Sequence, residues 1–442
     1  MAIEIYRNLP YGKPKSRLLL YSTASPTSYN FIPGVLKKEI NKSESFEFDI
    51  YPSQSRGSLD PDLIELKTGY HYISIEDTNT SGPLGQIAPK IMFYGRISHV
   101  EYDLQGKRHV TCEGLLSNLL DFPMFNPYHS GYNDRDIPIE IRSGIHRVVN
   151  RTYLGLFYNA INAYRCGTRR DDIILWDPND DTEMPEITKQ YESSESEEDP
   201  DAGYYKYLYP WEKSVGEFIE SELIGVFGGI IKLEYDDAYV NGIKGHISWI
   251  QGPAEGVIRT QSQSQDIIYG DNLLDATLED TNTEYPSGIF PVGTDNTNTK
   301  IWFEETINYD GSNRIIPWAY YGNNYVADSI NTCKVVNFDD AKTFDQLDDI
   351  KDLYVNLYCS SKKYRINAKV LDKHYSGLED ETYAPIDVGY TYHVVVPFIG
   401  RPIEDDLVCL NLELDLKNLE NSSYTFGEYI PPDLMKSRYI TG

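Results

Sequence analysis

Residues Ile91 to Asp121 read IMFYGRISHVEYDLQGKRHVTCEGLLSNLLD, and their periodicity decides the fold class. Phe93, Gly95 and Ile97 recur at every second position, the spacing that lines one face of a strand. Asp103 to Gly106 is a polar run that ends in glycine and turns the chain back by Lys107. Val110 and Cys112 then alternate inward again, and Gly114 lets the backbone enter a short helix. The stretch predicts an antiparallel strand pair with one buried face, followed by a helical turn.

The same period recurs toward both ends of the chain. In Ser45 to Tyr51, Phe46, Phe48 and Ile50 point one way while Glu47 and Asp49 point the other. Leu410, Leu412, Leu414 and Leu416 alternate with Asn411, Glu413 and Asp415, which predicts one apolar sheet face. Asp310 to Gly311 marks another hairpin turn. The middle of the chain changes to a helical period. Leu154, Phe157, Tyr158 and Ile161 predict an amphipathic helix over Tyr153 to Cys166, closed by Gly167. Ser214 with Glu217 forms a capping box before Val215, Phe218, Ile219 and Leu223, a face that runs up to Gly225. Thr343 with Gln346 does the same for Phe344 to Tyr358, whose stripe is Leu347, Ile350, Tyr354 and Leu357. Between the first two helices, ESSESEEDPD (192–201) has six acids in ten residues and nothing apolar, so it predicts an exposed loop.

The 442 residues hold 40 Lys+Arg against 68 Asp+Glu, a formal charge of −28. Phosphate recognition needs clustered cations, so this balance argues against sequence-specific nucleic-acid binding. With 40% hydrophobic and 13% aromatic residues the chain is nevertheless globular rather than disordered, and long enough for several cores. Its longest apolar runs, such as Val226 to Ile231, fall far short of the ~18 residues of a membrane span. Glu4 and Arg7 sit where a signal peptide needs an apolar core. Cys112, Cys166, Cys333, Cys359 and Cys409 are odd in number and widely spaced, the pattern of reduced, mostly buried thiols.

No catalytic signature is present: neither HExxH, GxSxG, a Walker loop nor GxGxxG occurs. The pairs Asp171–Asp172, Asp236–Asp237, Asp339–Asp340 and Asp405–Asp406 suggest glycosidase carboxylates only superficially. Neighbours on a strand face opposite ways, so they cannot converge on one bond. Asp177, Asn179, Asp181 and Glu183 open like a calcium loop, but Thr182 stands where that loop needs Gly and Thr188 where it needs Glu. No catalytic, cofactor-binding or metal-ligating residue is therefore assigned. The 37 tyrosines against 15 phenylalanines are a bias that fits strand filler, a protein interface or sugar stacking alike. Tyr204, Tyr205, Tyr207 and Tyr209 with Trp211, and Tyr320, Tyr321 and Tyr325, are its clusters.

Taken in order, several segments resemble one family, the baseplate hub proteins of tailed bacteriophages, including the N-terminal structural module of siphophage tail-associated lysins. LKKEINKSESFEFDIYPS (36–53) is similar to that module's first strand pair, and the 91–121 stretch to its strand, charged turn, strand and "CEG" helix start. The Tyr153 to Cys166 helix with IILWD (173–177), and YPWEKSVGEFIESELIGVFGGIIKLEY (209–235), resemble its central domain. SQDIIYGDNLLDATLED (264–280), IFPVG (289–293), FDQLDDIKDLYVNLY (344–358), YRINAKVLD (364–372), IDVGYTYHVVV (386–396) and YTFGE (424–428) follow its closing pattern.

The resemblance implies a β-rich α+β chain with two related β-barrel domains and a mixed α/β domain. The expected limits are a first barrel over 1–122, a central domain over 123–260 with its acidic loop at 178–203, and a second barrel over 261–442, interrupted by a helical and β segment at about 295–362. It further implies a homotrimeric ring in the virion tail tip, made in the bacterial host cytoplasm, that mates with a hexameric tail-tube or distal-tail ring. The ring would line the channel for the tape-measure protein and DNA, and would carry receptor-binding or fibre proteins. Glu192 to Asp201 looks inserted, and the chain ends at Gly442, shortly after Phe426 and Gly427, where lysin relatives continue into hydrolase domains. Their enzyme activity is therefore not expected here. The alternative is a cell-wall-degrading or carbohydrate-binding tail protein.

Overall fold

The alternating residues of the N-terminal part form seven strands: β1 (Ala2–Arg7), β2 (Arg17–Ser22), β3 (Asn30–Glu39), β4 (Ser45–Tyr51), β5 (His71–Asp77), β6 (Lys90–Tyr102) and β7 (Arg108–Gly114). A computed structural model describes residues 2–7, 17–22, 30–51, 66–69, 71–77, 90–124, 153–168, 173–175, 213–224, 229–236, 243–250, 265–280, 287–309, 312–322, 333–338, 341–355, 359, 364–375 and 383–429. Phe46, Phe48 and Ile50 of β4 are buried, as are Phe93 and Ile97 of β6 and Val110 and Cys112 of β7. The β6–β7 turn is tied by the Asp103 carboxylate, which accepts from the backbone N–H of Gln105 and Lys107 at 2.9 and 2.7 Å, while Gly106 takes a φ of 84°. A 3-10 turn, Leu115–Asp121, follows.

The centre holds helix α1 (Tyr153–Thr168), β8 (Ile173–Leu175), helix α2 (Val215–Phe218), β9 (Ile230–Asp236) and β10 (Lys244–Ile250). Helix α1 runs through Gly167 instead of ending before it. That glycine leaves room for Phe122, whose ring would lie 1.9 Å from an added Cβ. Ser214 and Glu217 form the expected capping box, with bonds of 3.2 and 2.7 Å. After one turn the helix widens into a π segment, Ile219–Ile224, which keeps Ile219, Leu223 and Ile224 inward. These elements share a core with Tyr72, Ile91 and Tyr94.

The C-terminal part contributes β11 (Ile267–Ile268) and β12 (Leu273–Asp280), then a separate segment. That segment comprises β13 (Gly288–Thr294), β14 (Lys300–Trp302), β15 (Glu304–Tyr309), β16 (Ser312–Pro317), β17 (Tyr320–Tyr321), β18 (Cys333–Phe338) and helix α3 (Phe344–Tyr354). Helix α3 has its expected capping box and runs to Tyr354, with Val355 still in helical conformation, and residues 356–358 at the end of the span read from sequence lie outside the described residues. Asp310 and Gly311 lie outside the described residues, between strands that pair Tyr309 with Ser312. The chain then returns through β19 (Tyr364–Val370), β20 (Thr391–Val396), β21 (Ile403–Asp415) and β22 (Ser423–Gly427).

The two ends of the chain meet in one 13-stranded sheet, joined where Asn411 to Asp415 of β21 pair antiparallel with Glu39 to Val35 of β3. Phe46, Phe48, Phe93 and Cys112 from one side and Val394, Leu412, Leu414, Tyr424 and Phe426 from the other belong to a single continuous core. The strand order on the N-terminal side, β3-β4-β7-β6-β5, is repeated on the C-terminal side as β12-β19-β22-β21-β20. In both copies the long fourth strand carries a bulge: the register slips at Ser98 of β6 and at Leu410 of β21. The bulge also corrects the leucine row. Leu412, Leu414 and Leu416 face the core, whereas Leu410 turns to the opposite side, beside Ile40, Ile230 and Val408. Among the described residues no sheet closes on itself, so the two expected barrels are seen here as open sheets.

Gly95 marks the closest approach in the first unit. A Cβ there would meet the Glu113 backbone oxygen at 2.2 Å and the Phe93 ring at 2.6 Å. Gly95→Ala is expected to lower stability by roughly 1–3 kcal/mol, read as a shift of the urea midpoint. A midpoint unchanged from that of the parent protein refutes the account of that contact.

Candidate assembly interface

His374 lies against Asp77, and this buried His–Asp pair looks like catalytic machinery. Its Nε2 faces the Asp77 carboxylate and its Nδ1 the Tyr383 carbonyl at 2.8 Å. Both partners are acceptors, so the protonated ring can donate from both nitrogens, and neither nitrogen faces a nucleophile. Burial lowers its pKa, but the Asp77 carboxylate outweighs that and raises it above the ordinary value. The pair is a clamp between β5 and the segment after β19. Beside it, the buried Asp372 carboxylate accepts from Gln265 Nε2 and the Ile386 N–H, both at 2.7 Å. Burial pushes its pKa up in spite of those bonds.

The other chemistry-bearing residues stay apart. Asp405 accepts from the Tyr364 hydroxyl and Asp406 faces His393 Nδ1 at 2.9 Å, on opposite sides of β21. Asp171–Asp172, the Asp339–Asp340 pair, the Asp177–Glu183 loop, the 178–203 acidic segment and the Tyr204–Trp211 cluster lie outside the described residues, as do the Asp236 side chain and Asp237. Cys112, Cys359 and Cys409 are buried and Cys333 is half-buried, all as free thiols; the Cys166 side chain is not described. Among the described residues no three His, Cys, Asp or Glu side chains gather as a metal would need.

Three parts of the chain converge at the joint between β3 and β21. Lys38, on β3, extends its ammonium to Glu44 Oε1 at 3.1 Å and Asp387 Oδ1 at 3.3 Å, beside a cavity of about 180 Å³. The Tyr235 hydroxyl of β9 donates to Glu44 at 2.7 Å. Burial alone lowers the Lys38 pKa, but the two carboxylates more than reverse it, so the group stays charged. One cation serves two acids, and burial with the excess negative charge leaves Glu44 raised above the usual carboxylate range. One turn away, Asn41 takes a φ of 61°, tolerated by its short amide. It donates to Gly229 O at 3.0 Å and to the Tyr429 hydroxyl, and accepts from the Ile231 N–H at 2.7 Å. The β3–β4 hairpin is thereby pinned to the central sheet.

Two surfaces remain uncovered among the described residues. The first is the pair of sheet edges, along β12 and along Ser98 to Tyr102 of β6, where no strand pairs on the outer side. The second is the outer face of the β13–β14–β17–β18 sheet. There Phe290, Trp302, Trp318, Tyr321 and Val335 line a groove of about 860 Å³. The tyrosine cluster divides at this sheet. Tyr321 faces the groove, while Tyr320 turns inward to hold the buried Lys351 ammonium 3.8 Å from its ring centre; Tyr325 is outside the described residues. Lys351 has no counterpart in the sequence reading, because a lysine within a polar helix carries no signal of burial.

No family model and no curated protein matches the chain. Among solved structures it is similar to the 43 kDa tail protein of a prophage of Shewanella oneidensis, at 10% identity and a TM-score of 0.53, over 98% of this chain and 98% of that one. Weaker likenesses are to the prophage tail protein gp18 of Listeria monocytogenes (11% identity, TM-score 0.48, 97% and 95% covered) and a tail protein of Neisseria meningitidis (11%, 0.47, 98% and 98%). The Shewanella likeness shows a fold shared with a phage tail protein and, at that identity, the fold alone.

Removing Lys38 strands two acids at the joint. Lys38→Met should cost about 3–5 kcal/mol in urea unfolding, and Glu44→Gln added to it should recover part of that loss. For the His374 clamp the folded pKa is raised, so its stabilisation is complete below the ordinary value of 6.5 and is lost as pH rises through the raised one. Unfolding free energy measured upward from pH 6.5 should therefore decline more steeply in the parent protein than in Asp77→Asn. Equal slopes would sink this assignment.

Proposed function

We propose that the chain is a structural hub subunit of a phage tail tip, or of a related phage-tail-like particle, and that it acts without enzymatic activity. Three copies form a ring that joins a hexameric tail-tube or distal-tail ring to the tip and lines the channel for tape measure and DNA. The observation that carries this reading is the duplicated strand order. Two like units per chain give six like units in a trimer, so a threefold ring offers near-equivalent surfaces to a sixfold partner. In this reading residues 1–122 and 261–442 are the two ring units, whose open sheets become barrel walls only on assembly. Residues 123–260 and the segment around 295–362 face the tip, where fibre or receptor-binding proteins attach.

A second reading, a carbohydrate-binding tail protein, is favoured by the groove of Trp302, Trp318 and Tyr321. Flat aromatic rings suit the apolar faces of sugars as well as protein side chains.

Mass measurement of the full chain in solution, with rising concentration, tests the first reading. A species near 152 kDa, three chains of 50.6 kDa, is expected. Incubation with peptidoglycan tests the claim of no enzymatic activity: release of soluble muropeptides would overturn it. Quenching of tryptophan fluorescence by wall glycans, abolished in Trp318→Ala, would favour the second reading.

A further inference from the structure

The polar cluster beside the β3–β21 joint brings together the groups of a condensation reaction. Lys38 Nζ lies 3.1 Å from Glu44 Oε1 and 3.3 Å from Asp387 Oδ1, so one amine nitrogen is held against two carboxyl groups at once. The three come from separate parts of the frame: Lys38 is on β3, Glu44 immediately precedes β4, and Asp387 lies four residues before β20. The Lys38 and Glu44 side chains are 11% and 12% exposed, and Leu36, Ile91, Met92, Leu414 and Tyr375 line the same cavity. Asp387 is the more open of the two acids, at 27%.

The two carboxyl groups differ in their partners, and the difference assigns their roles. Glu44 Oε2 accepts from the Tyr235 hydroxyl at 2.7 Å, and burial, with the nearby Asp387 charge, raises its pKa above the usual carboxylate range. It is the acid suited to take up and return a proton. Asp387 Oδ1 instead accepts from the Val388 N–H at 3.0 Å, a backbone donor placed to stabilise negative charge on a carboxyl oxygen under attack. The Asp387 N–H donates in turn to the buried Tyr392 hydroxyl at 2.9 Å, which fixes this segment against the core.

We propose that Lys38 and Asp387 become joined by an amide bond, formed within the folded chain with Glu44 relaying the protons. The ammonium is no nucleophile as it stands. One proton first passes from Lys38 through Glu44 to Asp387, giving a neutral amine and a neutral acid, the form that a dry interior favours. The nitrogen lone pair then adds to Asp387 Cγ, and the displaced electron pair moves onto Oδ1, which faces the Val388 N–H. Glu44 carries a second proton from the nitrogen to the other Asp387 oxygen, which leaves as water while the carbonyl re-forms. The step balances: ammonium and carboxylate give an amide and one water, nothing is oxidised or reduced, and Glu44 is restored. Two buried charges are replaced by one neutral group, and exclusion of bulk water slows the reverse hydrolysis. The bond ties the first unit of the chain to the last across the joint, and it stands whether or not copies assemble into a ring.

Intact mass of the full chain under denaturing, reducing conditions is the test. The parent protein should lie about 18 Da, one water, below the mass of its sequence, and Asp387→Asn, which releases ammonia instead, about 17 Da below its own. Proteolysis of the parent should give a branched peptide linking the segments around Lys38 and Asp387, and the looped chain should run ahead of Lys38→Arg on a denaturing gel. Glu44→Gln, which keeps a partner for Tyr235 but relays no proton, should stay mostly at full mass. The parent measurement decides by itself, so a variant that fails to fold does not shelter the bond. A parent chain at the full mass of its sequence overturns it and leaves an ion-pair cluster. A lost water that maps elsewhere, to a succinimide or to Lys38 with Glu44, overturns it too. Glu44→Gln linked as fully as the parent overturns the part given to Glu44.

Discussion

The structure depends on five residue pairs, Asn411 to Asp415 against Glu39 to Val35, which join the end of the chain to its beginning. Without them the two units would each present a bare edge, and the core that runs from Phe46 to Phe426 would split. Closing so long a loop costs little more entropy than closing a moderate one, since the cost grows only logarithmically with length. Its consequence is kinetic: contacts of such sequence separation form late and slowly. The polar cluster at the joint follows from the same pairing. Lys38 sits opposite Leu412, and its ammonium reaches Glu44 and Asp387 only when β3 is in register. A one-residue slip would send Lys38 to the other face and bury two acids unpaired.

That constraint also accounts for the clamps farther out. His374 and Asp77 are 297 residues apart in sequence, and Asn41 contacts Gly229 and Tyr429 across comparable distances. None of these pairs stabilises a secondary-structure element. Each fixes one part of the chain against another. Buried polar groups that are fully partnered specify one arrangement, because every alternative leaves a donor or acceptor unsatisfied.

Much of the fold was legible in the sequence where the chain's own period is strong. The alternation of Phe46, Phe48 and Ile50, the Asp103–Gly106 turn and both capping boxes are local signals, and each element formed as read. The errors arose where one residue's role is set by a distant one. Leu410 continued the leucine row on paper, but the bulge opposite β22 rotates it outward. Gly167 looked like a helix terminator, yet its lack of a side chain serves Phe122 instead. The joint was invisible for the same reason. Val35 to Glu39 and Asn411 to Asp415 each look like ordinary half-buried strand, and nothing in either says that they pair. The groove was half legible: Tyr320 and Tyr321 stood out as a pair, but only strand register separates the one that holds Lys351 from the one that faces outward.

The repeated strand order raises a problem of choice, since β3 and β12 hold the same place in the two copies, and their charges resolve which of them pairs with β21. Lys37 suits Glu413, so β3 gains an ion pair when it closes the chain. Glu279 in the same place would face Glu413, so β12 gains nothing by competing for β21. Exposed acids along β12, Asp275, Glu279 and Asp280, further discourage pairing with other edges, the usual protection of an open strand. Pairing of β3 with β21 is therefore favoured over pairing of β12 with β21, and being within one chain it forms without any dependence on concentration.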